Sequence, residues 1–227
     1  MLYLSRLIPD VRAAAARRDL ANAYDMHRTL MRAFPDREDG GAGRVLWRAD
    51  PDPHAGGLHL IVQSTLPPDW ARLEPGWLTT PPRQRKFDPA FRTGQRLRFR
   101  LRANPTRRAG KSHSDPTFVG KRVPIVDPAE QVAWLARKGD GGGLRLIGRS
   151  GGSDTGCFDV ATSHAGTVRS RKPGSGDGKP IAVDHYAVLF DGQLQVADPD
   201  HFTQTIAQGI GPAKAFGFGL VSVATTR

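Results

Sequence analysis

The segment QRLRFRLRAN, residues 95–104, constrains the fold more than any other stretch of the chain. Arg96, Arg98, Arg100 and Arg102 alternate there with Leu97, Phe99 and Leu101. A period of two belongs to a β-strand, whose successive side chains point to opposite faces of the sheet. One face is then apolar and the other carries only guanidinium groups. Four like charges along one face repel one another, and carboxylates on a neighbouring strand are the usual remedy. Acids are scarce nearby in sequence, so a phosphate backbone is the expected neutraliser. The competing reading is a solvated edge strand whose arginines discourage aggregation.

The surrounding window favours the first reading. From Arg83 to Lys111, eleven basic residues stand against one acid, Asp88, a net +10 in 29 residues. The whole 227-residue chain carries only +11. Arginine makes up 26 of the 33 basic residues, as a GC-rich genome would favour. Codon bias, however, scatters arginines, and this chain concentrates them. Arg107, Arg108 and Lys111 carry the patch beyond the strand. Such a footprint points to a nucleic acid.

The length allows one large domain or two small ones, and 38% hydrophobic residues suffice for a core. No run approaches the ~20 apolar residues that span a bilayer. The opening MLYLSRLIPD lacks a basic n-region and is broken by Arg6 and Pro9, so no signal peptide and no membrane partner are expected. Cys157 is the single cysteine, which excludes an intramolecular disulfide and a multi-cysteine zinc site. The expectation is a cytoplasmic protein.

Punctuation along the chain predicts short strands and a few helices. Leu2–Ile8 reads as a strand, and Asp19–Phe34 as one helix with Asp19 as N-cap and Pro35 just past its end. Strands are expected at Arg44–Ala49 and Leu58–Leu66, and a short helix at Trp70–Leu73. Beyond the arginine strand come a helix at Pro128–Lys138 and strands at Leu144–Arg149, Cys157–Ser163, Ile181–Phe190 and Gln193–Ala197. A helix at His201–Gln208 and a strand at Leu220–Ala224 close the pattern. Arg169–Pro180, basic and rich in Gly and Ser, reads as a loop tip between strands. Each half opens strand–helix–strand, which predicts an α+β chain of two tandem ferredoxin-like βαββαβ domains, 1–92 and 93–227.

Three motifs almost form. Gly110-Lys111-Ser112 lacks the upstream glycine of a phosphate-binding loop, because position 105 is Pro. Gly209-Ile210-Gly211 is followed by Lys214 where a dinucleotide fingerprint needs glycine. His54 and His59, five apart in a glycine-rich turn, have no partners for a metal, and a surface loop is the better reading.

Two features remain open on the residues alone. In the helix, Leu20, Ala23/Tyr24, His27, Leu30/Met31 and Phe34 read as the inward stripe, which puts Tyr24 and His27 on one face a turn apart. His27 is either a satisfied, semi-buried histidine or a proton-transfer group beside a phenol that polarises a phosphate oxygen. In GIGPAKAFGFGL, Gly209, Gly211, Gly217 and Gly219 either let backbone N–H groups reach a phosphate, with Lys214 as a cation, or shape an ordinary turn over buried phenylalanines.

Four segments together resemble one family. The opening MLYLSRL, the helix AYDMHRTLMRAF, the strand FRLRANPT and the terminal GIGPAKAFGFGLVSV are similar to the CasE family, repeat-RNA endoribonuclease subunits of type I-E CRISPR Cascade complexes. The resemblance implies tandem ferredoxin-like domains, binding of the CRISPR repeat RNA hairpin, and cleavage at its 3′ base without metal or other cofactor. It further implies a 2′,3′-cyclic phosphate product, retention of the cut RNA and assembly with other Cascade subunits. The family's helix histidine and tyrosine fall on His27 and Tyr24, and its glycine-rich loop on Gly209–Gly219. A groove-entering hairpin falls near Arg169–Lys179, with Arg169, Arg171 and Lys172 as RNA contacts. The alternatives are a catalytically silent RNA-binding subunit and, third, a DNA-binding scaffold that leaves Tyr24 and His27 unexplained.

Overall fold

The computed structural model describes residues 1–52, 57–111, 115–148, 157–172, 179 and 181–226. The chain opens with strand β1 (Leu2–Leu7) and two short helices, α1 (Ala14–Ala21) and α2 (Ala23–Met31). Strands β2 (Val45–Pro51), β3 (Leu58–Ser64) and β4 (Arg83–Phe87) follow, with a 3-10 turn at Trp70–Arg72. These strands form one antiparallel sheet in the order β2-β3-β1-β4. The arginine segment is β5 (Arg96–Ala103), the first strand of a second sheet. After it come the two-stranded pair β6 (Thr106–Arg108) and β7 (Arg122–Pro124), then helix α3 (Pro128–Asp140). Strands β8 (Leu144–Leu146), β9 (Val160–Lys172) and β10 (Ile181–Val196), helix α4 (Pro199–Gln208) and strand β11 (Val221–Thr225) complete the fold. The second sheet runs β11-β5-β10-β8, antiparallel throughout, and β9 pairs with β10 alone. The described residues are thus α+β, with two larger antiparallel sheets and the small β6–β7 pair.

The alternation in β5 does what its period requires. Leu97, Phe99, Leu101 and Ala103 are buried, while Arg96, Arg98 and Arg100 are exposed. The apolar face meets Trp134 and Leu135 of α3 and Phe202 and Ile206 of α4 in one core. Burying each such leucine or phenylalanine stabilises the fold by about 1.5–3 kcal/mol. The edge-strand reading fails, because β5 lies between β11 and β10. A second core joins Leu7, Trp47, Leu60 and Val62 of the first sheet to Met26, Leu30 and Phe34.

The expected single helix over Asp19–Phe34 is two. Asn22 sits between them with extended backbone (φ −136°, ψ 107°), and its side chain accepts a hydrogen bond from Tyr24 N. Asn competes well for such a position, because its short amide satisfies orphan N–H groups of the next helix. Asp19 is therefore no cap. It is buried in α1, accepting bonds from Trp77 Nε1 at 2.9 Å and Arg18 Nε at 3.0 Å.

The hairpin also departs from expectation. Arg169, Arg171 and Lys172 are strand residues, paired in register with Asp184, Ala182 and Ile181, rather than part of a loop tip. The remainder of that tip, residues 173–178 and 180, lies outside the described residues, as do His54 and Arg149. The two strands read at 181–190 and 193–197 are one, because Asp191 and Gly192 keep their pairing with β5. Glycine is needed at 192, since a Cβ there would lie 2.9 Å from Val160 Cα. Strands β4, β6 and β7 were not expected; they are short and mostly exposed, so they carry little apolar periodicity.

One arginine staples the sheets together. Arg48 of β2 is buried, bonds Asp50 through Nε and Nη2 at 2.7–2.9 Å, and reaches Ser222 Oγ at 3.1 Å and Arg100 O at 3.2 Å in the second sheet.

Candidate active site

Helix α2 buries Ala23, Met26, Thr29 and Leu30 and leaves Tyr24 and His27 half-buried beside that stripe. The side chains expected to point inward are thus displaced to its margin, which keeps them reachable. His27 Nδ1 is buried without a partner. Loss of hydration pushes the His27 pKa below the ordinary histidine value of 6.5. The imidazole is therefore neutral at neutral pH, and Nε2 is the nitrogen left to meet a substrate. The Arg28 guanidinium lies 5.9 Å from the centre of the Tyr24 ring. Sequence reading did not single out Arg28, although its spacing of four from Tyr24 put the pair on one helical face.

The α2 N-terminus abuts β9. Asn22 Oδ1 accepts from Arg171 N at 3.0 Å, and Asn22 Nδ2 donates to Arg171 O at 3.2 Å. Arg169 and Arg171 are both exposed, while Ser170 between them is buried and donates to Val183 O at 3.0 Å. The two arginines therefore project from one face of the hairpin. A cavity of about 470 Å³ beside α2 brings Arg102 and Arg169 together with Ala23 and Met26.

The four arginines of β5 do not share one environment. Arg96 and Arg98 are exposed. Arg100 faces Asp191 across the β5–β10 pairing, with Nε to Oδ1 at 2.7 Å, which raises its already high pKa. The carboxylate remedy missing from the nearby sequence thus comes from 91 residues away. Arg102 is half-buried, donates to Ala165 O at 3.2 Å and lies 5.5 Å from the Phe218 ring centre. Burial lowers its pKa.

Arg107, Arg108 and Lys214 line a cavity of about 600 Å³ together with Gly209 and Gly211, and Arg122 and Lys138 join them there. Burial first, then Arg44 and Lys138, lowers the Lys214 pKa. Lys111 is exposed on the turn after β6. The glycine loop is built by packing as much as by openness. A Cβ on Gly217 would press on the Trp47 ring at 2.9 Å, and one on Gly211 on Trp134 at 3.0 Å, both at positive φ. Gly209 N donates to Thr205 O, Ile210 N to Gly219 O, Phe216 N to Ala213 O and Gly219 N to Arg102 O, so these four N–H groups of the loop are engaged within the chain. Phe218 is buried, and the ring of His185, which the sequence did not mark, lies 4.8 Å from that of Phe216, tilted by 30°, with Nε2 buried and unpartnered among the described residues.

His59 belongs to β3 and is half-buried rather than on a loop. Among the described residues, no group of three His, Cys, Asp or Glu side chains is placed to hold a metal ion. No described helix is long and apolar enough to cross a membrane.

A family model described as "CRISPR associated protein" matches residues 2–225. The chain is 42% identical over 226 residues to the CRISPR-associated endoribonuclease Cse3 of Thermus thermophilus, covering 98% of this chain and 100% of that one. It is 31% identical over 227 residues to the Cascade subunit CasE of Escherichia coli, covering 98% and 99%. It is also similar to a solved structure of the CRISPR endoribonuclease Cse3 bound to a 19-nucleotide RNA, with a TM-score of 0.81, 40% identity and coverage of 98% and 99%.

Proposed function

The chain belongs to the CRISPR-associated protein family of Cse3 and CasE, and from that membership we propose how its residues bind and cut RNA. The protein is a CRISPR-associated endoribonuclease and a Cascade subunit, whose partners are CRISPR repeat RNA and other Cascade subunits. Its place of action is taken as the cytoplasm, where repeat transcripts are made. Residues 1–92 and 93–227 are taken as two ferredoxin-like domains. In support, both sheets follow the order second-third-first-fourth strand once β9, which lies off the second sheet's path, is left out of the count, and sheet membership changes between Phe87 and Arg96. The first lacks a full second helix; the 3-10 turn at Trp70–Arg72 stands in its place.

His27 and Tyr24 are proposed as the catalytic pair. The substrate carries its own nucleophile, so strand scission needs a proton acceptor and alignment rather than a metal-bound water. His27 Nε2 takes the proton of the 2′-hydroxyl, and the 2′-oxygen attacks the adjacent phosphorus. The bond to the 5′-oxygen breaks, that oxygen is protonated from water, and a 2′,3′-cyclic phosphate remains. Tyr24 donates its phenol hydrogen to a phosphate oxygen. The observation that carries the choice of base over acid is the half-buried, neutral imidazole with its Nδ1 buried. RNA helices are recognised mainly through shape and backbone. Arg169, Arg171 and Lys172 are proposed to enter the stem's groove from the hairpin. Arg96, Arg98, Arg100 and Arg102 are proposed to face its phosphates. Arg107, Arg108 and Lys111, with Lys214 and Gly209, Gly211, Gly217 and Gly219, are proposed to form a second phosphate-binding stretch.

The test is cleavage of a matching repeat hairpin in EDTA, with normal RNA and with a single 2′-deoxy nucleotide before the scissile phosphate. The normal RNA should be cut and the deoxy RNA only bound. His27→Ala should lower the rate by about 10²–10⁴-fold with little change in affinity. Tight binding of both RNAs without cutting would make the chain a silent RNA-binding subunit.

A further inference from the structure

The side chain of Asn22 joins two parts of the molecule that lie 149 residues apart in sequence. Its Oδ1 accepts from Tyr24 N at 3.2 Å and from Arg171 N at 3.0 Å, and its Nδ2 donates to Arg171 O at 3.2 Å and to Asp25 Oδ2 at 2.6 Å. The exchange with Arg171 copies the reciprocal N–H and C=O pairing of antiparallel strands. It falls on the side of β9 that β10 does not occupy. One amide therefore holds both the first turn of α2 and the backbone between the exposed Arg169 and Arg171 side chains and the hairpin's outer end.

We propose that Asn22 is a positioning residue that couples engagement of RNA by the β9–β10 hairpin to alignment of Tyr24 and His27; this rests on the assignment of that pair to cleavage. RNA gripped by Arg169 and Arg171 fixes the β9 backbone, and Ser170 ties that backbone to Val183 O. The Asn22 amide passes the position on to the start of α2, two residues before Tyr24 and five before His27. Binding energy from a remote part of the substrate is thereby spent on orientation at the reacting phosphate. The amide suits this task because it offers a donor and an acceptor in one plane, matched to a peptide's own pair. Serine or aspartate would cap the helix equally well. Neither can reproduce the two-way bond to Arg171.

The experiment compares wild type, Asn22→Ser, Arg171→Ala and the double variant by single-turnover cleavage at saturating repeat RNA, equilibrium binding and thermal unfolding. Asn22→Ser keeps an acceptor for Tyr24 N and is too short to reach Arg171. Its rate should fall about 10- to 100-fold, the scale of a misplacement near 1 Å, with Tm and Kd near wild type. Arg171→Ala should slow the wild-type background and add nothing to the rate loss of Asn22→Ser. Should Asn22→Ser unfold, Asn22→Gly reads the same loss, since glycine is tolerated at a helix N-cap and offers neither bond to Arg171. Full rate at saturation, a loss confined to Kd, or rate losses that multiply in the double variant would each overturn the coupling. A wild-type chain that never cuts would overturn the cleavage assignment itself, a different result from a wild type and an Asn22→Ser variant that cut equally fast.

Discussion

Strand β5 and helix α2 are both two-faced elements, and they reach that state differently. In β5 every second residue is apolar, so the buried set follows from the period and survives any choice of neighbours. In α2 the apolar positions permit several stripes, and the break at Asn22 decides which one is buried. The strand's charged face is then divided by its surroundings: Arg100 meets Asp191, Arg102 turns in over Phe218, and Arg98 stays in solvent. The helix's chemical face is kept together, with Tyr24 and His27 side by side at the margin of the core. A strict period protects burial and leaves function to the partners; a loose one leaves burial to a cap.

The strongest way to break this comparison is to release the strand from its staple. Arg48→Ala leaves Asp50 buried without its cation and removes the bond to Arg100 O. Denaturant unfolding should show a loss of about 3–5 kcal/mol, and a loss near zero would mean that Asp50 regains water once the guanidinium is gone. A smaller effect tests the division of the arginines. Arg98→Ala should reduce the slope of log K against log salt by about one for repeat RNA. Arg100→Ala should reduce it less, because Asp191 already neutralises that guanidinium; the reverse order would show that the pair opens when RNA binds. The smallest effect concerns α2. With His27 as the proposed base, the neutral imidazole is the working form and burial holds its pKa below 6.5, so kcat/KM should be full at neutral pH and fall only as pH drops through that lowered value. A rate that instead falls as pH rises through the His27 pKa would assign His27 to the acid role.

Legibility in the sequence tracked how local each cause is. Helix α3 was readable from its start at Pro128, whereas α4 begins at Pro199, two residues before the expected His201. The local start signals are Asp127 and Asp198, and both aspartates cap as such residues do. The split of the first helix was harder, since Asn22 has helical neighbours on both sides and one of its partners, Arg171, is remote. The reach of β9 to Lys172 was hidden by composition: a Gly/Ser-rich tip looks like a loop, and only pairing with β10 makes its flank a strand. For the glycine loop, the residue type announced positive φ but gave no sign that Trp47 and Trp134 press against it.

By itself the sequence determined the period of β5, the concentration of charge around it, and the placing of Tyr24 and His27 one turn apart. Each depends on neighbours within a few residues, and dihedral geometry converts such spacing into a face. The tertiary structure alone decided which arginines keep their charge free, which face of α2 is buried, and that the helix bearing His27 is bonded to the hairpin bearing Arg171. Those outcomes depend on which distant groups meet, because a carboxylate, a ring or a backbone amide acts only within hydrogen-bonding or contact distance, and folding sets that distance.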